Sequence, residues 1–285
     1  MSTEDASVGL PPPRRLVLEA GSSDRQYWPD LWHYRELLLI LAWRDVSVRY
    51  KQTVVGIAWA FLRPFLSTVV FTVVFGQMAR LQSESPVPYA LVVIGGLLPW
   101  TLFSSVLSEA SNSVIVNANL VSKVYFPRLI IPLATVLVAV IDFGISLSIL
   151  AGLMVWYGFV PGWQILLLPV FAVLALLVSL GPAILASAIV VKYRDFRFVV
   201  PFVLQFGLYV SPVGFPSSVV PERWRFLYDL NPMVGIIDGF RWCIVGGASP
   251  LHGQSFLLSL AVTVFFLWLG IATFRRIERS FADVI

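Results

Sequence analysis

Six long apolar segments limit this chain to a membrane fold. A helix of roughly 20 apolar residues crosses the hydrocarbon core of a bilayer, which is about 30 Å thick. Hydrophobic residues make up 58% of the chain and charged residues 13%, against about 45–50% and about 25% in a soluble domain. We therefore predict an all-α integral membrane protein with six transmembrane helices, near residues 55–79, 88–108, 129–157, 165–191, 198–215 and 255–274.

The basic residues between these segments predict the orientation of the chain. Cytoplasmic connections of membrane proteins carry an excess of Lys and Arg. Basic residues here precede the first segment, with Arg63 just inside it, occupy the second-to-third and fourth-to-fifth connections, and follow the sixth segment. We therefore expect a multi-pass protein with both termini in the cytoplasm. The residues behind this assignment are Arg14, Arg15, Arg25, Arg35, Arg44, Arg49, Lys51, Lys123, Arg128, Lys192, Arg194, Arg197, Arg275, Arg276 and Arg279.

The part of the chain before the first segment divides into two. Residues 1–29 are polar and proline-rich and lack the apolar core of a signal peptide, which predicts a flexible cytoplasmic tail. Residues 30–53 carry polar side chains at helical spacing beside an apolar stripe that includes Trp43. This pattern predicts an amphipathic interface helix on the membrane surface; a membrane-embedded start to the first span is the alternative. Residues 54–279 then form the six-span domain, and residues 280–285 a cytoplasmic C-terminus.

The sequence lacks the motifs of a catalytic, metal or nucleotide-binding site. None of its three lysines follows a glycine, so there is no G-x-x-x-x-G-K-[ST] phosphate loop. His33 and His252 fall on opposite sides of the predicted membrane, and Cys243 is the only cysteine. In so apolar a chain, a net charge of +4 indicates orientation and contact with anionic lipid rather than with nucleic acid. We therefore predict no catalytic residue, metal or cofactor in this chain, and no energy source of its own.

Two carboxylates and a glycine pair lie in or near the predicted spans. Asp142 lies mid-way along the third segment, where an ionisable residue is a functional candidate by default; a protonated or hydrogen-bonded residue between helices is the alternative. Asp142 has no evident partner, which argues against proton coupling. Glu109 is expected near the cytoplasmic end of the second span. Gly235 and Gly239 form a G-x-x-x-G outside a clear apolar span, a weak indication of helix packing.

Four stretches of sequence, in order and at matching spacing, resemble the membrane subunit of ABC-type polysaccharide exporters. They are "GIAWAFLRPFLSTVVFTVVFG" at 56–76, "LLPWTLFSSVLSEASNSVIVNANLVSKVYFPRLIIP" at 97–132, "VKYRDFRFVVPFVLQFGLYVSPVGFPSSVVPERWR" at 191–225 and "LNPMVGIIDGFRWCIVGG" at 230–247. Such permeases export O-antigen, capsule or teichoic-acid polymers. The resemblance implies a homodimer of permeases in a bacterial inner membrane, two separate ATPase subunits that bind ATP and Mg, and a lipid-linked glycan as substrate.

The resemblance assigns the second-to-third connection, within residues 119–132, to a coupling helix that docks on the ATPase. Pro127 suits a helix boundary, aromatic side chains suit a hydrophobic notch, and basic side chains suit acidic residues of a groove. Ordinary cytoplasmic anchoring is the alternative. The fourth-to-fifth connection, 191–198, has the same composition and ranks second. The residues expected to couple to the ATPase are Lys123, Tyr125, Phe126, Pro127, Arg128, Arg194 and Asp195.

The extracellular stretch 211–250 is too often interrupted by proline to span the membrane and too apolar to be a free loop. Non-helical backbone at membrane depth is tolerated only inside protein or along a cavity. The resemblance places a re-entrant gate here, at the exit of the channel; an external lid over helix ends is the alternative. The expected gate residues are Pro212, Phe215, Pro216, Asn231 and Pro232.

Aromatic side chains are numerous in this chain, and most suit anchors at the membrane interface. Trp59, Phe65, Trp100 and Phe103 lie where the first and second spans are expected to face a bundle interior. Aromatic faces offer sugars apolar contact that tolerates many orientations. We predict that these four residues line the substrate path, with a lipid or packing contact as the alternative for each.

Two other classes of protein are weighed against the exporter. An intramembrane enzyme acting on lipid-linked sugar would need paired carboxylates or a histidine near the headgroups. An ion-coupled carrier or channel would need partnered ionisable residues in several spans. The sequence suggests neither set, since only Asp142 stands out. Co-purification with a phosphate-loop ATPase separates the exporter from both alternatives.

Overall fold

The computed structural model describes residues 27–51, 54–79, 87–246 and 251–278, and residue 281. Every regular element in this part of the chain is a helix, which confirms the all-α class. Residues 1–26 of the predicted tail lie outside the described residues, as does the predicted C-terminus apart from residue 281. Residues 27–29, predicted to belong to the tail, begin the first helix instead.

The described residues form eleven α-helices with three short helical turns. A π-helical turn, Thr72–Met78, continues α3, and 3-10 turns at Trp163–Leu167 and Ser217–Val219 precede α7 and α9. The α-helices are α1 (Tyr27–His33), α2 (Arg35–Lys51), α3 (Val54–Phe71), α4 (Tyr89–Val116), α5 (Ala118–Lys123), α6 (Ile130–Trp156), α7 (Leu168–Lys192), α8 (Phe196–Val210), α9 (Glu222–Asp229), α10 (Pro232–Val245) and α11 (Gly253–Glu278).

Five helices of the described chain are long and apolar enough to cross a membrane: α3 with its π-helical turn, α4, α6, α7 with its 3-10 turn, and α11. They match five of the six predicted spans. The predicted fifth span is the shorter helix α8, which has 15 residues and ends at Val210. At 1.5 Å per residue it is about 22 Å long, less than the hydrocarbon thickness of about 30 Å. Six crossings therefore stay a prediction.

Helix α4 is the centre of the bundle. It packs against α6, α7 and α10, and 78% of the residues in its 18-residue apolar stretch are buried. Helix α7 packs in turn against α11, and α2 against α6. In the apolar stretch of α3 only 6% of the residues are buried, and in α8 the only buried residue is Val200. Helices α3 and α8 therefore present apolar surface to lipid or to a second protein chain.

The segment that was predicted to be one surface helix forms two helices, α1 and α2. Helix α2 packs lengthwise against α6. Leu41 and Ala42 of α2 are buried in one cluster with Ile130 at the start of α6. At the other end of α2, Arg49 reaches Asp142, which lies about 18 Å farther along α6 at 1.5 Å per residue. Helix α2 thus runs along the first half of α6, which is closer to the alternative of an embedded approach to the first span.

The apolar stripe predicted for this helix is also divided in the structure. Val46 is buried at 8% exposure, whereas Trp43 is 63% exposed and Leu39 60%. The hydropathy pattern identified the apolar residues, but it did not tell which of them face α6 and which face the surroundings. Trp43 and Leu39 therefore do not pack against the bundle.

Helix α10 has a capping residue at each end. The side chain of Asn231 accepts a hydrogen bond from the backbone N–H of Met233 at 3.0 Å, and Pro232 occupies the first helical position. Gly246 ends the helix with φ 67°, a left-handed conformation that favours glycine. The sequence from Asn231 to Gly246 therefore specifies both ends of α10.

The G-x-x-x-G of α10 lies at two close helix contacts. A Cβ atom on Gly235 would lie 2.5 Å from the Ser259 hydroxyl of α11, and one on Gly239 would lie 1.9 Å from the Phe171 ring of α7. Glycine at these two positions therefore allows α10 to wedge between α7 and α11. The weak sequence signal marked a real packing contact.

Replacing Gly239 by alanine is expected to destabilise the protein by about 1–3 kcal/mol, because the Phe171 ring must move within a packed core. The measurement is thermal or denaturant unfolding of the purified protein in detergent. Gly144→Ala in α6 is the matched control, since a Cβ there meets nothing within 4 Å. Equal stability of the two variants would contradict the packing role of Gly239.

Candidate functional site

The second-to-third connection folds into α5 followed by extended backbone at Val124. Lys123 and Tyr125 are exposed, Tyr125 to 61%. Phe126 and Pro127 are buried, Phe126 to 3% exposure. Of the predicted coupling residues in this connection, Lys123 and Tyr125 are thus the two that are exposed.

The connection is anchored to the bundle by Phe126 and Arg128. Phe126 packs in the cluster that holds Leu41 of α2 and Phe274 of α11. The backbone N–H of Arg128 donates to Glu278 Oε1 at 2.7 Å, and its guanidinium donates to the Glu278 backbone carbonyl. The sequence did not indicate these contacts, because the end of α11 lies about 150 residues away along the chain; docking of Phe126 and Arg128 stays a prediction.

The fourth-to-fifth connection lies beside the same end of the bundle. Arg194 and Asp195 are exposed. Arg194 and Arg197 line a cavity of about 360 Å³ together with Val116, at the end of α4 that leads into α5. Both predicted coupling connections therefore lie at the same end of α4. Their exposed charged and aromatic side chains are here called the connection surface: Lys123, Tyr125, Arg194, Asp195 and Arg197.

A second cavity, of about 410 Å³, lies between the end of α2 and helices α3, α4 and α6; we call it the membrane cavity. Trp59 and Trp100 line it. Trp100 is 6% exposed and packs 5.4 Å from Phe103, centroid to centroid, whereas Trp59 is 55% and Phe65 39% exposed. Two of the four predicted path residues therefore line the cavity. In the single chain α4 occupies the centre of the bundle and α3 its edge; a substrate path along these residues stays a prediction.

Asp142 has partners that the sequence did not reveal. Arg49 lies 2.9 Å from the Asp142 carboxylate and 3.2 Å from that of Glu109, and the Tyr50 hydroxyl donates a hydrogen bond to Asp142. Burial and this hydrogen bond raise the pKa of the Tyr50 phenol above its usual range, so the phenol stays protonated as a donor. Both Arg49 and Tyr50 come from α2, which hydropathy had placed on the surface, away from α6.

Arg63 is the second guanidinium on the wall of the membrane cavity. It lies within the apolar window of α3 and is exposed. Within the described residues it forms no hydrogen bond or ion pair. An arginine inside a span was the available sequence signal for this site, but it was interpreted only as a mark of orientation.

The segment 211–216 is held by a buried arginine. The Arg241 side chain is 0% exposed and donates to three backbone carbonyls, those of Val92 at 3.1 Å, Val213 at 2.9 Å and Phe215 at 2.8 Å. Asp238 lies 3.9 Å from its guanidinium. Arg241 thus joins α10, α4 and the 211–216 segment, a role that the sequence did not indicate.

The predicted gate residues surround this segment. The Asn231 amide donates to the Ser211 hydroxyl at 2.9 Å, which brings the start of α10, with Pro232, against the segment. Pro212 is buried, and Phe215 and Pro216 are half-buried. The structure therefore brings the five predicted residues to one place; whether they act as a gate stays a prediction.

Comparison with known proteins adds a family and several relatives. Residues 36–245 match the ABC-2 type transporter family. The chain is 29% identical over 258 residues to the O-antigen export system permease protein RfbA of Myxococcus xanthus, with 90% of this chain and 98% of that protein covered. It is 27% identical over 261 residues to a protein of the same name from Klebsiella pneumoniae, with 90% and 97% covered. The polysialic acid transport protein KpsM of Escherichia coli is 22% identical over 243 residues, with 83% and 92% covered.

Proposed function

The chain belongs to the ABC-2 type transporter family, and on that premise we propose that it is the permease subunit of an ATP-driven exporter. The proposed cargo is a lipid-linked polysaccharide, O-antigen-like, moved from the cytoplasm across a bacterial inner membrane. The observation that carries this proposal is the similarity, over nearly the whole of both chains, to two proteins named as O-antigen export permeases. The five apolar helices of the described chain support a multi-pass membrane protein.

Separate ATPase subunits, which bind ATP and Mg, are proposed to drive the transport. The absence of a phosphate loop from the sequence supports this division of labour. The connection surface supports a docking site, because both connections carry exposed basic side chains at the same end of α4. Charge complementarity at such a surface would favour the correct orientation of the partner.

A homodimer of permeases is proposed as the transporting unit, with both termini in the cytoplasm. Helices α3 and α8 support it, because both leave most of their apolar side chains exposed. The membrane cavity lies beside these two helices, with Leu208 of α8 among its lining residues. A dimer contact along α3 and α8 would place the cavities of both copies near the path of the cargo.

A capsule polymer is the second candidate cargo. The similarity to the polysialic acid transport protein KpsM favours it, at 22% identity over 83% of this chain. Identity to the O-antigen permeases is higher, at 27% and 29%, which is why we place O-antigen first. Both cargoes would use the same architecture.

Deletion of the gene is expected to remove a long-chain polysaccharide from the cell surface, and the intact gene should restore it. The measurement is surface glycan by immunoblot or sugar analysis, beside the intracellular pool, which should rise. Complementation with Trp59→Ala should restore less surface glycan than the intact gene at equal ATPase turnover, since Trp59 is exposed at the cavity. Unchanged surface glycan after deletion would reject the polysaccharide cargo.

A further inference from the structure

Two guanidinium groups lie on the wall of the membrane cavity, and among the described residues only one of them has an ionic partner. Arg49 and Arg63 contribute two guanidinium groups and Asp142 a single carboxylate. Asp142 is bound by Arg49 and Tyr50, and Arg49 also contacts Glu109. These groups satisfy one another, which leaves Arg63 as the positive group of the wall that is open to a ligand within the described residues.

Hydroxyl and indole groups surround the cavity beside Arg63. Ser67 follows Arg63 by four residues on the same face of α3, and Ser105 lies on the facing wall of α4. Within the described residues neither hydroxyl makes a hydrogen bond, so both can donate to a ligand. Trp59 and Trp100 add apolar faces. This is the composition of a small-molecule pocket, an apolar wall with a few convergent polar groups, and its volume of about 410 Å³ lies in the usual range of about 300–1,000 Å³.

We propose that the membrane cavity binds the phosphate group of a membrane lipid, with Arg63 as its principal ligand and Ser67 and Ser105 as additional donors. A guanidinium presents a planar fork of donors that matches two phosphate oxygens at once. This inference deepens the proposed function and rests on it, since a lipid-linked cargo must present its headgroup to the permease. The phosphate has two sources, the lipid carrier of the cargo and bulk phospholipid.

The position of Arg63 favours a lipid over a dissolved anion. Arg63 lies inside the apolar window of α3, and its neighbours Phe61, Leu62 and Phe65 on α3 are exposed apolar side chains. Arginine inside a span is rare and normally faces a partner or a water-filled cavity. A ligand with an anionic head and an apolar tail satisfies both the guanidinium and the surrounding surface of α3.

The test is the affinity of the purified full-length chain for polyprenyl monophosphate, measured by native mass spectrometry in detergent. Arg63→Gln is expected to lower this affinity about tenfold or more, because it removes a charge-assisted bidentate hydrogen bond. Arg63→Lys keeps the charge but not the fork, so a smaller loss is expected; this variant decides the result if glutamine prevents folding. Unchanged affinity in Arg63→Lys and in folded Arg63→Gln would overturn the proposal.

A matched control separates the site from a general charge effect. Arg223→Gln removes one exposed guanidinium from α9, outside the cavity, and is expected to leave the affinity unchanged. An equal loss in Arg223→Gln would also overturn the proposal. Competition by dioleoylphosphatidylglycerol identifies the source: weak competition indicates the lipid carrier, and equal competition indicates phospholipid headgroups, with Arg63 as the ligand in both cases.

Failure of this inference and failure of the proposed function give different results. If deletion of the gene removes surface glycan while lipid affinity does not depend on Arg63, the exporter function is supported and the phosphate site is rejected. If lipid affinity depends on Arg63 but deletion leaves surface glycan unchanged, the site stands for a different cargo.

Discussion

Arg241→Met is expected to destabilise the protein by about 3–5 kcal/mol, the usual cost of removing one partner from a buried ion pair. The Arg241 side chain is 0% exposed. Its removal leaves the carbonyls of Val92, Val213 and Phe215 without their donor and Asp238 without its cation. Buried polar groups left without partners account for most of such losses. The measurement is denaturant or thermal unfolding of the purified protein, with the fraction that elutes as a single species.

Two controls test the explanation for Arg241. Arg223→Met removes an exposed guanidinium from α9 and should change stability by less than about 0.5 kcal/mol. Arg241→Met combined with Asp238→Asn should recover part of the lost stability, because position 238 then carries no buried unpaired charge. In the unsubstituted protein the Ser217 hydroxyl donates to Asp238 Oδ2 at 2.6 Å, and the asparagine oxygen can accept the same hydrogen bond. A protein with Arg241→Met as stable as the one with Arg223→Met would show that the three carbonyl contacts do not hold the 211–216 segment.

Lys123→Glu combined with Tyr125→Ala is expected to lower polysaccharide export at least about tenfold while leaving the permease folded. Both side chains are exposed, and neither makes a hydrogen bond or ion pair within the described residues. A reversed charge at a docked contact costs several kcal/mol, whereas exposed substitutions change the stability of the free protein little. The measurements are surface glycan, the amount of ATPase that co-purifies, and thermal unfolding.

The matched control for the connection surface is a basic and aromatic pair on α9. Arg223 lies over the exposed Trp224 ring at 5.6 Å, so Arg223→Glu with Trp224→Ala makes the same chemical change away from the connections. Normal export in this control and lost export in the first pair would locate docking at the connection surface. Normal ATPase co-purification and export with Lys123→Glu and Tyr125→Ala would remove these residues from the interface.

Arg128 is a poor probe of docking, because its loss acts on the fold. A glutamate at this position would face Glu278 and lose the guanidinium contact with the Glu278 carbonyl. Reduced export in such a variant would report a displaced α11 as readily as a lost ATPase contact. The exposed pair Lys123 and Tyr125 avoids this ambiguity.

The sequence by itself determined the all-helical class, five of the spans and the family. These properties are local or additive: a run of apolar residues must satisfy its backbone internally in a bilayer, so it becomes a helix of a length set by the hydrocarbon. The predicted second and third spans, near 88–108 and 129–157, correspond to α4 and α6. Asn231, Pro232 and Gly246 likewise act on the adjacent backbone at the two ends of α10, although the helix was not predicted from them.

Only the tertiary structure decided which side chains meet. Asp142 looked isolated because Arg49 and Tyr50 lie about 90 residues away on a helix assigned to the surface. Phe126 and Arg128 looked available for docking because nothing local shows that α11 ends beside them. A helix that is apolar on every face carries no hydropathy pattern to fix its rotation. The rotation comes from close packing and from a few polar partners, and these are long-range contacts that no window of sequence contains.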